Sequence, residues 1–185
     1  VNGKFVGHYP SGYNHFSYDI TEFLNKDGSE NTIAVQVTNK QPSSRWYSGS
    51  GIYRDVTLSY RDKVQVAENG NHITTPKLAE QKDGNVETQI QSKIKNTAKN
   101  LAKVFVEQQI FTKEGKAVSD LVRSATKNLA GNETADFKQT ILVNKPTLWT
   151  TKSYHPQLYV LKTKVYNEGQ LVDVTEDTFG YRYFN

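Results

Sequence analysis

Residues 86–94 read Val-Glu-Thr-Gln-Ile-Gln-Ser-Lys-Ile, and this stretch decides the fold class. Small or apolar side chains alternate with charged or amide side chains, which is the period of a strand with one buried face. The inward row is predicted to be Val86, Thr88, Ile90, Ser92 and Ile94. Similar apolar rows recur within residues 104–110 and 159–165, whereas no segment shows a long 3.6-residue apolar period. The sequence therefore predicts an all-β protein.

Turn-forming pairs separate the predicted strands. Asn-Gly, Asp-Gly or Glu-Gly pairs occupy positions 2–3, 27–28, 69–70, 83–84, 114–115 and 168–169. Asn and Gly tolerate positive φ, so such pairs favour tight hairpin turns. The pair at 114–115 is predicted to lead into a strand at 117–126, and the pair at 168–169 into one at 171–179. A helical turn is predicted only near Ile20–Leu24, with Asp19 or Thr21 as its cap.

Aromatic residues divide the chain into two parts. Residues 1–60 contain 10 of the 21 Phe, Trp and Tyr residues, although they make up only a third of the chain. We predict that this part belongs to a jelly-roll-like sandwich, with strands at 3–9, 15–20, 32–38 and 52–60. Residues 61–185 are predicted to form an immunoglobulin-like β-sandwich, because about six strands without a helix over that length are typical of this fold.

Composition excludes several classes of function. The net charge is +4 with both signs mixed and no block of Lys or Arg, so nucleic acid is not an expected partner. No run approaches the ~20 apolar residues of a membrane span. Cysteine is absent, which excludes disulfides and thiolate chemistry. No leader peptide is expected at the start of the chain. Methionine is absent, including at position 1, so we expect a piece of a longer polypeptide. A cytoplasmic, cell-surface or secreted location fits equally.

A second stretch carries the candidate site. Residues 43–56 read Ser-Ser-Arg-Trp-Tyr-Ser-Gly-Ser-Gly-Ile-Tyr-Arg-Asp-Val, and the small residues at 48–51 predict a tight bend. Arg54 and Asp55 are adjacent on the following strand, so their side chains point to opposite faces, and one of them faces inward or toward a partner. A buried carboxylate is costly without a partner, so we expect Asp55 to meet a cation, hydrogen-bond donors or a ligand hydroxyl.

The candidate site residues also have structural interpretations. Asp55 could form an ion pair with Arg45, since structural ion pairs resemble functional ones in sequence. Trp46 and Tyr47 could stack on a sugar ring, or they could pack in a core or between domains. Arg54 is expected to join strands rather than to contact a ligand.

Other motifs do not predict chemistry. The spacing at residues 48–51 matches neither a nucleophile elbow nor a dinucleotide-binding loop. The four histidines, at positions 8, 15, 72 and 155, lack the spacing of metal ligands. Asn132-Glu133-Thr134 matches a glycosylation sequon, a pattern short enough to arise by chance.

Six segments together resemble glycoside hydrolase family 2, the group that contains β-galactosidases and β-glucuronidases. Val1–Gly7 resembles the family's VNG…VG strand, Gly51–Val56 the end of its sugar-binding domain, and Thr178–Arg182 the F-G-x-R leading into its catalytic barrel. The other three segments are Phe16–Leu24, Asn31–Val37 and Pro146–Trp149. Each motif is weak alone, but all six match in order and spacing and cover nearly the whole chain.

The resemblance implies which domains of the complete protein carry the catalytic residues. Family members run from a jelly roll through an immunoglobulin-like domain to a (β/α)8 barrel, and the barrel carries the acid/base and nucleophile glutamates. A retaining glycosidase needs two carboxyls ~5–5.5 Å apart, and no motif for them occurs in this chain. The resemblance therefore implies that no catalytic residue and no cofactor site belongs to this part. We interpret the chain as a non-catalytic part of a retaining β-galactosidase acting on terminal β-galactosides.

The resemblance also implies a role for Asp55. In β-galactosidase-like members, the matching Asp helps to form the galactose subsite, in some members with a sodium ion, and the complete enzyme would hold sodium or magnesium. Trp46 and Tyr47 are further substrate-binding candidates. The expected partners are the catalytic barrel, a galactoside and, through open strand edges in residues 1–60, a second copy of the chain. The alternative is a carbohydrate-binding or adhesive β-sandwich that acts alone.

Overall fold

The computed structural model describes residues 1–40, 49–150 and 156–183, and the chain forms two compact units, Val1–Leu58 and Ser59–Asn185. In the described part of the first unit, the regular secondary structure is one short 3₁₀ helix, Thr21–Phe23. The described part of the second unit contains antiparallel strands and one single-turn helix. The predicted all-β class is confirmed. The same described ranges contain no helix that is both long and apolar enough to cross a membrane.

The second unit is an immunoglobulin-like sandwich of two sheets. One sheet has the order β1-β2-β6, and the other has the order β4-β3-β7-β8 with β5 also paired to β3. The first, second and sixth strands thus face the third, seventh and eighth, as strands A, B and E face C, F and G in immunoglobulin domains. The elements are β1 Val64–Thr74, α1 Leu78–Gln81, β2 Asn85–Asn96, β3 Ala102–Thr112, β4 Val122–Arg123, β5 Lys127–Leu129, β6 Thr134–Asn144, β7 Tyr159–Asn167 and β8 Gln170–Phe179.

The inward rows of the sandwich are those that the alternation predicted. Along β2, every second side chain from position 86 to 96 is buried. Along β7, the buried residues include Tyr159, Leu161 and Val165. On β3, Phe105 points to the opposite face from Val104 and Val106 but is also buried. Phe105 is buried because the Tyr166 ring stacks on it, with the two ring centroids 4.6 Å apart.

The core consists of two apolar clusters separated by polar side chains. One cluster includes Ile94, Val106 and Val165, and the other includes Ile90, Ile110 and Leu161. On each of the three strands, the inward position between those two residues is polar: Ser92, Gln108 and Thr163, all fully buried. A polar layer therefore crosses the middle of the sandwich.

Two of the predicted turn pairs form tight turns with positive φ at both residues, whereas the chain does not reverse at a third. Asn2-Gly3 has φ values of 51° and 74°, and Glu168-Gly169 has 49° and 81°, as in tight turns. Asn69-Gly70 instead lies within β1, where the pairing register with β2 shifts between Val66 and Asn71. The predicted turn there is wrong, because a bulge absorbs the extra residues while the strand continues.

The predicted strand at residues 117–126 is largely absent. An isolated bridge joins Ala117 to Phe111, and β4 is only two residues long. Backbone bonds from Val118 N to Ile110 O and from Ser124 N to Val106 O are supplemented here by serine hydroxyls. Ser119 Oγ accepts from Ile110 N at 2.9 Å, and Ser124 Oγ accepts from Val106 N at 3.0 Å. The side chains thus satisfy the donors of β3 that a longer partner strand would have bonded.

The four strands predicted in residues 1–60 do not form. A strand requires a ladder of backbone hydrogen bonds to a neighbour, and the segments 3–9, 15–20, 32–38 and 52–60 have no such ladder. The Asn2 side chain joins parts of this unit instead. Its Oδ1 accepts from Thr32 N and its Nδ2 donates to Phe23 O, each at 2.9 Å.

The predicted helical turn in the first unit is a 3₁₀ helix. Asp19 Oδ1 accepts a hydrogen bond from Thr21 N at 2.9 Å, so the acidic side chain satisfies a donor at the start of the turn. Phe23 N donates to Ile20 O at 2.9 Å and closes it.

Candidate functional site

Asp55 lies in the segment that follows the small residues of the predicted bend. Gly51 there has φ of 143°, a conformation that a residue with a Cβ rarely adopts. Both Arg54 and Asp55 are exposed, so neither side chain faces a core of this chain. Of the two expected arrangements, burial within the chain is therefore wrong, and the Asp55 carboxylate is open to a partner or ligand.

The neighbours of Asp55 are aromatic and apolar. Arg54 places its guanidinium carbon 5.2 Å from the centroid of the Tyr53 ring, which is a cation–π contact within the segment. Tyr53 and Ile52 are themselves mostly exposed. Trp46 and Tyr47 lie outside the described residues, as does Arg45, so the predicted stacking and the alternative ion pair to Asp55 stay predictions.

The first unit also exposes apolar side chains in alternating positions. Ile33, Val35 and Val37 are 56%, 58% and 44% exposed, and Val56 and Leu58 are each 77% exposed. Isolated exposed apolar residues are common on protein surfaces, but a concentration of them marks an interaction surface. This part of the chain therefore has the chemistry of an interaction surface.

No metal site is evident in the parts of the chain that the structure describes. Across residues 1–40, 49–150 and 156–183, no group of three His, Asp or Glu side chains comes close enough to hold an ion. The resemblance assigns Asp55 to a sodium ion. Among the described residues, Asp55 belongs to no such group, so the other ligands of that ion would have to come from elsewhere.

A cluster at one end of the second unit is a feature that the sequence analysis did not identify. Trp149 follows β6, while Tyr181 and Arg182 follow β8. Trp149 N donates to Tyr181 O at 2.9 Å, and the Arg182 guanidinium carbon lies 4.9 Å from the Trp149 ring centroid. Two of the family-like motifs, Pro146–Trp149 and Thr178–Arg182, are thus in contact. The sequence contained both motifs but no signal that they meet.

Tyr181 forms the buried base of this cluster. Its hydroxyl shares a hydrogen bond with Thr88 Oγ1 at 2.8 Å, and its ring packs edge-on against Tyr159 at 5.0 Å and Phe179 at 5.3 Å. Burial raises the pKa of Tyr181 well above its usual value, and the hydrogen bond with Thr88 opposes that shift. The phenol therefore stays protonated in the folded protein.

Comparisons with known proteins identify relatives of this chain. The family model described as "Glycosyl hydrolases family 2" matches residues 70–182. A β-galactosidase from Bacteroides ovatus, BoGH2A, is 36% identical over 186 residues, which cover all of this chain and 21% of that protein. A crystal structure of a family 2 member from Bacteroides cellulosilyticus has a TM-score of 0.84 at 30% identity and covers 96% of this chain and 23% of that one.

A β-glucuronidase is also among the similar structures. β-Glucuronidase 2 from Bacteroides uniformis, solved covalently bound to cyclophellitol-6-carboxylate aziridine, has a TM-score of 0.78 at 27% identity. The match covers all of this chain and 23% of that protein. The chain therefore spans about a fifth of the relatives that it matches. The family predicted from the six motifs is confirmed.

Proposed function

Because this chain belongs to glycosyl hydrolases family 2, we propose that it is the part of a retaining β-galactosidase that supports the catalytic barrel and completes the sugar site. The 36% sequence identity to a β-galactosidase over the full length of the chain supports this proposal. The observation that carries it is the exposed Asp55 carboxylate, which stands at the end of the Gly51–Val56 motif and faces no core of its own chain.

Asp55 would act by binding rather than by chemistry. A carboxylate accepts hydrogen bonds from sugar hydroxyls, and charge-assisted bonds of this kind are stronger than neutral ones. We expect Asp55, alone or through a sodium ion, to hold the hydroxyls of galactose while two glutamates of the barrel cleave the glycosidic bond. Trp46 and Tyr47 would cover the apolar face of the sugar.

A β-glucuronidase is the second candidate, because several similar relatives and structures carry that name, and one of the structures has a carboxylated ligand bound. The charge on Asp55 argues against it. A glucuronide carries a carboxylate of its own, and two like charges in one sugar subsite repel each other. A neutral galactoside meets no such penalty.

The test compares two chromogenic substrates with the complete enzyme that contains this chain. We expect a nitrophenyl β-galactoside to be hydrolysed with a much higher kcat/KM than the matching β-glucuronide, and NMR to show that the first product keeps the β configuration. Preference for the glucuronide would select the second candidate, and first release of the α anomer would contradict the retaining mechanism. The 185-residue chain alone should hydrolyse neither substrate.

The rival function, autonomous carbohydrate binding, is tested on the same chain. Calorimetry with galactose should give no measurable heat of specific binding, because the barrel side of the subsite is missing. Measurable affinity would favour the rival.

The exposed apolar side chains of the first unit, Ile33, Val35, Val37, Val56 and Leu58, are proposed to be covered by other parts of the same polypeptide.

Self-association is the remaining partner proposal. The strand edges on which it was predicted do not form, but the exposed apolar residues of the first unit supply another reason for it. Sedimentation of the 185-residue chain should therefore show a dimer at high concentration. A monomer throughout would contradict association of copies.

A further inference from the structure

The segment that follows β8, at one end of the second unit, is held by contacts on two sides. On one side, the Trp149 backbone donates to Tyr181 O, and the Trp149 ring lies 4.9 Å from the guanidinium of Arg182. On the other side, Tyr181 is fully buried and bonded to Thr88 on β2. The last described residues are therefore fixed between the loop after β6 and the core.

Further contacts stiffen the loop that carries Trp149. Pro146 is buried, and Thr147 N donates to the hydroxyl of Tyr159 at 2.8 Å. Gly180 brings the two segments close together. A Cβ at Gly180 would lie 3.2 Å from Gln157 O and 3.4 Å from Trp149 Cε3, so a larger residue there would push the Trp149 ring. The backbone at Gly180 and the Trp149 ring are thus in close contact.

The outermost contact of this cluster contributes little to folding. Arg182 is exposed, and cation–π contacts at exposed sites are weak. The buried part below it, formed by Tyr181, Thr88 and Tyr159, is sufficient to close the end of the sandwich. We therefore expect the contact between Arg182 and Trp149 to contribute little to stability.

We propose that Trp149 and Arg182 are positioning residues, which fix the direction of the chain as it leaves the second unit and thereby align the catalytic barrel with Asp55. This rests on the proposed function, in which the barrel follows this chain and Asp55 completes its sugar site. Catalytic arrangements tolerate about 0.5 Å of displacement, and a displacement of about 1 Å costs on the order of a hundredfold in rate. A small change in exit direction, carried across a whole barrel, is enough to reach that range.

A double-mutant cycle in the complete enzyme tests the alignment. Arg182→Met removes the cation but keeps an unbranched side chain, and we expect it to lower kcat/KM about tenfold or more. In an Asp55→Asn background, the same substitution should lower kcat/KM less than about twofold, because the residue being aligned is already disabled. Additive effects, or no effect of Arg182→Met in the wild-type background, would overturn the proposal.

A matched control is available in the same unit. Arg123 places its guanidinium carbon 3.6 Å from the Phe105 ring, which is also a cation–π contact, but on β4 and away from the exit. Arg123→Met should leave kcat/KM within about twofold of wild type. Trp149→Phe, which retains an aromatic ring, should give an intermediate loss, and it replaces Arg182→Met in the cycle if that variant fails to fold.

Hydrogen exchange provides a readout that does not need activity. In Arg182→Met, the backbone amide of Trp149, which donates to Tyr181 O, should exchange faster, and in Arg123→Met it should not. Unchanged exchange in Arg182→Met would overturn the positioning role even if the enzyme hydrolyses galactosides. Faster exchange in a protein that hydrolyses neither sugar would instead leave the positioning role standing and contradict the proposed function.

Discussion

Gln108 Nε2 donates one hydrogen bond to Ser92 Oγ at 2.8 Å and another to Thr163 Oγ1 at 2.9 Å, so a single amide joins both sheets. The three residues lie on β2, β3 and β7. In antibody domains the equivalent strands B, C and F carry a disulfide and the tryptophan that packs on it. This cysteine-free sandwich has a bridge of two hydroxyls and an amide at the same three strands.

Removing the amide should destabilise the sandwich. Gln108→Leu leaves the buried Thr163 and Ser92 hydroxyls without their shared donor, so we expect a loss of about 1–3 kcal/mol in the free energy of unfolding. Urea unfolding of the 185-residue chain measures it. The double variant with Gln108→Leu and Thr163→Val should recover part of the loss, because residue 163 then has no hydroxyl to leave unpaired, while Ser92 keeps its hydrogen bond to Asn71 Oδ1. Equal stability of the single and double variants would refute the bridge.

The hydrogen bond between Tyr181 and Thr88 gives a second prediction. Tyr181→Phe keeps the aromatic packing but leaves the fully buried Thr88 hydroxyl unpaired, which should cost about 1–3 kcal/mol. Adding Thr88→Val should restore stability, because both polar partners are then gone. The measurement is thermal or urea unfolding of each variant. A double variant no more stable than Tyr181→Phe would show that the hydroxyl pairing is not the cause.

The same tyrosine predicts a dependence on high pH. Burial raises the pKa of Tyr181 in the folded state, whereas the unfolded chain has the ordinary value of about 10. Above about pH 10 the unfolded state releases a proton that the folded state keeps, so this contribution to stability, complete at lower pH, is lost as the pH rises. Stability should therefore fall more steeply between about pH 9.5 and 11 in the wild type than in Tyr181→Phe. Identical slopes would contradict this.

Gly131 predicts a steric effect at the turn before β6. A Cβ there would lie 2.2 Å from Lys99 O, a backbone atom that cannot rotate away. Gly131→Ala should therefore cost about 1–3 kcal/mol or more through overpacking. Gly84→Ala is the control, because its Cβ would meet only Gln81 O at 3.9 Å. Denaturant midpoints of the two variants should separate clearly, and matching midpoints would show that the chain at Lys99 relaxes freely.

Asp55 gives the prediction closest to function. In the complete enzyme, Asp55→Asn removes the charge that is proposed to hold the galactose hydroxyls, and KM should rise or kcat fall by about tenfold or more. Asp83→Asn is the control, since that carboxylate is exposed in the second unit and forms an ion pair with its neighbour Lys82. Steady-state kinetics on a nitrophenyl β-galactoside decide the matter. Unchanged constants in Asp55→Asn would remove Asp55 from the sugar site.

The sequence alone determined the inward rows of β2 and β7 and the family. Alternation fixed which side chains of β2 and β7 face inward, because neighbouring side chains of a strand necessarily point to opposite faces. The six motifs identified the family because their order is itself a property of the sequence. The position of Asp55 beside a glycine-dependent bend also followed from its neighbours along the chain.

The tertiary structure alone decided which distant residues meet. The bridge at Gln108, the contact of Trp149 with Arg182 and the pairing of Tyr181 with Thr88 each join segments far apart in sequence, and a local pattern holds no information about such distances. The same limit explains the errors. Residues 3–9 and 32–38 have strand-like composition, but strands exist only where a neighbour completes the ladder, and propensity cannot supply that neighbour. Composition sets what a segment prefers, whereas hydrogen-bond partners decide what it forms.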